Sequence, residues 1–173
     1  IMVTASHNPM GYNGMKLVRG DAVPISGDSG LDDLERRVRE NDPGPQAAAP
    51  GRNTERDIMP AYIDKLLSFV DAHRLKPLKI VANPGNGCAG PVVDRLAERL
   101  PFTFVRVCFD PDGTFPNGIP NPLLEANRPA TANAVREHNA DLGIAWDGDF
   151  DRCFFFDENG DFVDGYYMVG LLA

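Results

Sequence analysis

No stretch of this 173-residue chain reaches the roughly eighteen consecutive apolar residues of a membrane-spanning helix, so the sequence offers no membrane segment. Cysteine is scarce: Cys88, Cys108 and Cys153 are widely spaced, odd in number and form no C-x-x-C pair. That excludes a disulfide framework or a thiolate zinc site, and the small, apolar neighbours of each thiol predict buried, reduced side chains. Positive charge is also in deficit. With 17 basic against 25 acidic residues the formal net charge is -8, which leaves no general field for nucleic acid or anionic lipid. An anionic substrate would have to be held by local Arg and Lys groups or by a bound cation. Finally, no G-x-S-x-G elbow is present, so a hydrolase triad has no foothold.

What remains is ordinary globular composition with clear punctuation. Residues 1–4 are apolar and β-branched, and a polar turn-rich loop follows through Asn8-Pro9 and Asn13-Gly14. Met15–Val18 reads as a short strand. Ser29 is placed to cap a helix over about 30–40, with Leu31, Leu34 and Val38 at helical spacing. Residues 41–53 hold three prolines and two glycines and read as a linker. Beyond it the pattern predicts helices at 61–70, 91–100 and 130–139. Strands are predicted at 78–82, 103–109 and 142–146, with a hairpin of 154–157 and 162–163 around Glu158-Asn159-Gly160. Alternation of strands and helices predicts an α/β fold whose sheet is at least partly parallel. The opening residues read as a strand already under way and residues 166–173 as a helix still running, so both ends are expected to be cuts through structured elements.

Asp147-Gly148-Asp149-Phe150-Asp151-Arg152 is the sharpest local signal. It follows an apolar strand directly, and open α/β sheets hold ligands at the carboxyl ends of strands. Alternate carboxylates fall on one side of an extended segment, and Gly148 lets the backbone bend to gather them. Three gathered carboxylates repel one another unless a hard cation sits among them, and all-oxygen ligands point to Mg²⁺ or Ca²⁺ rather than zinc. A calcium EF-hand matches at Asp147, Asp149, Asp151 and, at its twelfth position, Glu158. It fails at the sixth, where glycine is required and Arg152 stands, and its flanks read as strands. A solvated acidic turn is the bland reading; Mg²⁺ is the preferred one.

Two further segments compete for a function. In Thr4-Ala5-Ser6-His7-Asn8-Pro9, a serine beside a histidine in a tight loop is either exposed and reactive or simply a turn residue, with Asn8 shaping the loop. Gly85, Gly87 and Gly90 satisfy G-x-G-x-x-G between a strand and a helix, with Asp110 about twenty residues on, as a nicotinamide-binding oxidoreductase domain would require. Against that, Asn83-Pro84 lengthens the turn, and a glycine turn is also a packing device between strand and helix. His73 and His138 match no site and are read as surface residues.

Taken together these segments resemble the α-D-phosphohexomutase superfamily, its phosphomannomutase branch most closely. Thr4–Pro9 followed by Tyr12-Asn13-Gly14-Met15-Lys16 looks like that family's phosphoserine loop, and residues 147–152 like its metal loop. Gly85–Gly90 and Asp112-Gly113-Thr114-Phe115-Pro116-Asn117 are similar to its second-domain landmarks, in the expected order. The resemblance implies a four-domain enzyme represented here in part: 1–53 as the end of the phosphoserine domain with its linker, 54–160 as the metal-loop α/β domain, and 161–173 as the start of a third. It implies a mixed, partly parallel sheet flanked by helices. It also implies a cytoplasmic, Mg²⁺-dependent interconversion of mannose 6-phosphate and mannose 1-phosphate through a hexose 1,6-bisphosphate that serves as intermediate and activator. Phosphoglucomutase and phosphoglucosamine mutase relatives share both loops. Residues 120–124, 153–158 and 165–167, with Phe150, look most like bacterial phosphomannomutases that supply GDP-mannose. In this reading Ser6 carries the phosphate and offers an oxygen to one Mg²⁺ held by Asp147, Asp149 and Asp151; Arg152 grips phosphate oxygens, and His7 and Lys16 move protons at the sugar hydroxyl. The sugar-recognition and phosphate-binding loops of the family lie outside this sequence, so the chain by itself is expected to be inactive. The implied partner is a phosphorylated hexose, with no nucleic acid or membrane, and no feature specifies an oligomeric state.

Overall fold

The computed structural model describes residues 1–173. It divides into two compact units: Ile1–Thr4 with Asn13–Asp57, and Ala5–Tyr12 with Ile58–Ala173. The linker-like stretch 41–53 lies in the first unit, and the chain passes to the second between Asp57 and Ile58. Residues 161–173 also belong to the second.

In the first unit β1 (Met2–Val3) pairs antiparallel with β2 (Met15–Lys16), Met2 opposite Lys16 and Val3 opposite Met15. The pairing is extended by the Thr4 N–H, which donates to the Gly14 carbonyl at 3.0 Å. Helix α1 (Asp32–Glu40) has Leu31 at its N-cap and no side-chain cap bond, so Ser29 does not cap it as expected. Ser29 sits in the preceding turn, where its hydroxyl accepts from the Ser26 N–H at 2.7 Å. Asp32, Asp33 and Glu35 open the helix and Arg37 and Arg39 close it, which suits its macrodipole. Its i,i+3 and i,i+4 pairs, Arg36 with Asp33 and Glu40 and Arg39 with Glu35, are exposed. Each such pair stabilises a helix by only about 0.2–0.5 kcal/mol.

The second unit is built on a five-stranded sheet of order β4-β3-β5-β6-β7. Its strands are β3 (Lys79–Asn83), β4 (Thr103–Arg106), β5 (Leu142–Trp146), β6 (Cys153–Phe156) and β7 (Phe162–Val163). β3 runs parallel to both β4 and β5, while β5–β6 and β6–β7 are antiparallel, so the sheet is mixed. The connecting helices are α2 (Met59–Leu67), α3 (Ala89–Ala97), α4 (Pro129–His138) and α5 (Gly165–Leu172). Pro129 opens α4, where its missing N–H costs nothing, and Asn139 closes it in the left-handed conformation. One face of α4 supplies Ala132 and Val135 to a core completed by Val81, Ala145 and Phe156; Val81, Val135 and Phe156 are wholly buried.

Two further expectations are corrected. β4 ends at Arg106 rather than at residue 109, because Cys108 takes a positive φ of 43° and turns its carbonyl to accept the Asn86 N–H at 2.6 Å. The thiols are free, as expected, but they are not fully buried: Cys88 and Cys153 are exposed and Cys108 is half-buried. Partial burial still pushes all three thiols above their ordinary pKa, and at Cys88 the Asp149 charge adds to it. His73 and His138 are exposed, as read from the sequence.

Candidate active site

β5 is a central strand, and its alternating buried positions deliver Asp147 to the sheet's carboxyl edge with no exposed surface. The chain then folds back on itself before β6. The Phe150 N–H donates to the Asp147 carbonyl at 3.1 Å, and Phe150 adopts a left-handed φ of 50°. This tight return brings Asp147, Asp149 and Asp151 together, with one carboxylate oxygen of each lying within 4.8 Å of the others. Arg152 closes the loop over Asp147: Nε and Nη2 donate to Oδ2 at 3.0 and 2.5 Å, and its backbone N–H donates to Oδ1 at 3.2 Å. Arg152 Nε also lies 3.6 Å from Asp151 Oδ1.

The same unit carries the serine loop. Asn8 shapes it, as its N–H and its side-chain amide both donate to the Ala5 carbonyl, at 2.9 and 2.8 Å. Ser6 is thereby held at a φ of 53°, and its hydroxyl donates to Asp147 Oδ2 at 2.9 Å. Arg152 Nη2 donates to Ser6 Oγ at 3.3 Å and to His7 Nδ1 at 2.6 Å, and His7 Nδ1 lies 3.2 Å from Ser6 Oγ. Arginine only donates, so Nδ1 is the acceptor in this contact. Ser6, His7, Asp147 and Arg152 therefore form one hydrogen-bonded group, with Asp149 and Asp151 gathered beside Asp147. Lys16 lies on β2, in the first unit.

Charge decides what such a group accepts. At an effective dielectric of about 20, two unit charges near 4 Å interact by about 4 kcal/mol. Three carboxylates against Arg152, a single cation one-third exposed, leave the group with an excess of negative charge. The donors are all oxygen, from three carboxylates and an adjacent hydroxyl, which suits a hard divalent cation of the Mg²⁺ kind. Glu158, the twelfth residue of the EF-hand register, sits in the β6–β7 turn and is not among the gathered carboxylates.

The glycine turn after β3 takes the packing role that stood beside the dinucleotide reading in the sequence. A Cβ at Gly87 would stand 2.6 Å from the Gly148 carbonyl oxygen, and one at Gly90 would strike the Phe109 carbonyl. These glycines admit neighbouring backbone of the protein itself, which is the packing use rather than a dinucleotide cradle.

Residues 60–160 match the family model described as "Phosphoglucomutase/phosphomannomutase, alpha/beta/alpha domain II", and residues 1–44 match the corresponding domain I. The chain belongs to the phosphoglucomutase/phosphomannomutase family. Among the relatives similar to it are the "Phosphohexose mutases" of Xanthomonas campestris pv. campestris (strain B100), 62% identical over 175 residues, and the "Phosphomannomutase" of Salmonella montevideo, 57% identical over 179 residues. The alignments cover 100% of this chain but 38% and 39% of those relatives, so the chain spans about two fifths of their length. The X-ray structure of a phosphoglucomutase/phosphomannomutase family protein from Burkholderia thailandensis superposes with a TM-score of 0.85 at 31% identity, covering 98% of this chain and 36% of that one. A phosphomannomutase-like structure from Thermus thermophilus, at 20% identity and a TM-score of 0.69, shares the fold. No helix is long and apolar enough to cross a membrane.

Proposed function

We propose that this chain is the phosphoryl-carrying part of a cytoplasmic phosphomannomutase, with phosphate cycling on and off Ser6. The observation that supports this most is the Ser6 hydroxyl hydrogen-bonded at 2.9 Å to Asp147, inside a cluster of three carboxylates and one arginine. Phosphorylation replaces the hydroxyl with an ester of nearly two negative charges. Arg152 then meets the new charge, since Nη2 already faces Oγ and a guanidinium donates readily to phosphate oxygens. Asp147, Asp149, Asp151 and an oxygen on Ser6 would hold a Mg²⁺, which would supply positive charge to make the phosphate compatible with the carboxylates and to stabilise charge during transfer.

In the forward half-reaction the phosphorus–Oγ bond of Ser6 breaks as a phosphorus–oxygen bond forms to a hydroxyl of the hexose monophosphate. The hydroxyl proton passes to a protein base, and the product is a hexose 1,6-bisphosphate. In the return half-reaction its other phosphate is transferred to Oγ and the freed sugar oxygen takes the proton back. Lys16 and His7 are assigned to that proton traffic. His7 Nδ1 is 3.2 Å from Oγ but accepts from Arg152 at 2.6 Å, so it becomes available to a proton near the reacting bond only as Arg152 turns to the phosphate oxygens. Arg152 fixes the ring through Nδ1.

Mannose phosphates are the proposed substrates, feeding GDP-mannose formation, because several relatives at 53–57% identity are named phosphomannomutase. A glucose or glucosamine phosphate preference is the second reading, favoured by the broader name "Phosphohexose mutases" on the relative at 62%. Assaying the intact enzyme on mannose 1-phosphate and glucose 1-phosphate separates them. The proposal expects the higher kcat/KM with mannose 1-phosphate, and a clear preference for glucose 1-phosphate overturns it.

A further inference from the structure

We infer that the backbone of the glycine turn after β3 is a positioning device for the Ser6–Asp147 pair, acting through Gly148. The inference rests on the phosphoserine reading above and assigns it supporting residues that lie outside both loops.

Three stretches of backbone are stacked without side chains between them. Gly148 is buried: a Cβ there would drive into the Ser6 carbonyl oxygen and lie 3.6 Å from the Phe115 ring. A Cβ at Gly87 would stand 2.6, 2.8 and 3.0 Å from the oxygen, Cα and carbonyl carbon of Gly148. Contacts below 3.0 Å with backbone have no flexible atom to yield. The Gly148 carbonyl is held as well as crowded, because the Cys88 N–H donates to it at 2.9 Å. The peptide of Gly148 is therefore clamped between the turn of Gly87-Cys88 and the carbonyl of Ser6, one residue from Asp147 and one from Asp149.

The clamp is itself anchored. Asn86, at a φ of 62° and nearly buried, receives the Asn117 amide on Oδ1 at 2.8 Å and donates from Nδ2 to the Asp110 carbonyl at 2.9 Å. Its N–H and carbonyl pair with Cys108 and Asp112. The long loop that follows β4 is thus tied to the same turn, and its Phe115 ring lies beside Gly148. Such supporting contacts to ligand-bearing loops typically cost about 10–100-fold in metal affinity or activity when lost.

The test uses the intact enzyme and Mn²⁺ as the metal probe, titrated by electron paramagnetic resonance. Ser6 phosphorylation after incubation with glucose 1,6-bisphosphate is read by mass spectrometry, and thermal midpoints are recorded alongside. Cys88→Pro deletes the N–H at a residue whose φ of -84° lies close to the proline value and which immediately precedes α3. Cys88→Ala keeps the N–H, Gly87→Ala inserts the clashing Cβ, and Gly90→Ala makes a comparable clash with Phe109, away from Gly148. The inference expects Cys88→Pro and Gly87→Ala to weaken Mn²⁺ binding about tenfold or more and to lower kcat with little change in KM. It expects Cys88→Ala and Gly90→Ala to retain Mn²⁺ affinity, whatever Gly90→Ala does to the thermal midpoint. If Cys88→Pro and Cys88→Ala bind Mn²⁺ alike, or Gly87→Ala changes only the thermal midpoint, the turn is ordinary packing. A wild-type enzyme with no phosphate on Ser6 overturns the phosphoserine reading instead, and the Mn²⁺ comparison stands apart from that outcome.

Discussion

Ser6 and Asp147 stand 141 positions apart in sequence and 2.9 Å apart in space. Asp147 is wholly buried and Arg152 is the cation that faces it, so removing the arginine leaves a charge in the interior without its counter-ion. Losing one partner of a fully buried pair costs about 3–5 kcal/mol. Arg152 is one-third exposed, and water replaces part of its effect, so Arg152→Ala is expected to destabilise by about 2 kcal/mol in urea denaturation. Asp149→Asn removes a charge while keeping the shape, and is expected to weaken Mg²⁺ dependence by about tenfold; an unchanged metal titration excludes Asp149 from the ligand set. At this scale the sequence was legible only in part. The Asp-Gly-Asp-Phe-Asp-Arg run announced a cation site by its spacing, whereas Ser6 alone was indistinguishable from a turn serine. Nothing local in a loop encodes which distant strand end it will meet. Only resemblance joined the two loops in advance.

The elements of the second unit were more legible, because period-2 and period-3.6 patterns are local. β5 falls at Leu142–Trp146 as its apolar run predicts, and the β6–β7 hairpin turns at Glu158-Asn159-Gly160. What escaped was the end of β4, which is fixed by contacts between loops rather than by composition; the packing use of the glycine turn was legible as one of its two readings. The hairpin offers a pH test. The Asp157 carboxylate accepts the Asp161 N–H at 2.8 Å and the Asn159 N–H at 2.9 Å, and these bonds, the former above all, hold its pKa below the ordinary 3.8. A carboxyl depressed in the folded state contributes stability above its unfolded pKa and loses it as pH falls through the folded one. Asp157→Asn is therefore expected to lower the thermal midpoint at pH 7, with the gap to wild type closing as pH drops below about 4. A gap constant with pH contradicts it. Phe156, wholly buried at the centre of the α4–sheet core, is expected to cost about 3–5 kcal/mol when cut to alanine.

For the molecule as a whole, a net charge of -8 poses the question of how an acidic protein would take up an anionic ligand. On the phosphoserine reading it does so locally, by grouping negative charge into one cluster that a divalent cation turns into a phosphate site. Fold class was legible at this scale from alternating strands and helices. Substrate choice was not, because this chain spans about two fifths of the relatives it matches. The most direct test of phosphate cycling on Ser6 is to incubate the intact enzyme with hexose 1,6-bisphosphate carrying labelled phosphate, digest it, and locate the label by mass spectrometry. Label is expected on the peptide containing Ser6, with neither label nor turnover in Ser6→Ala; label on another residue, or full turnover by Ser6→Ala, contradicts the phosphoserine mechanism.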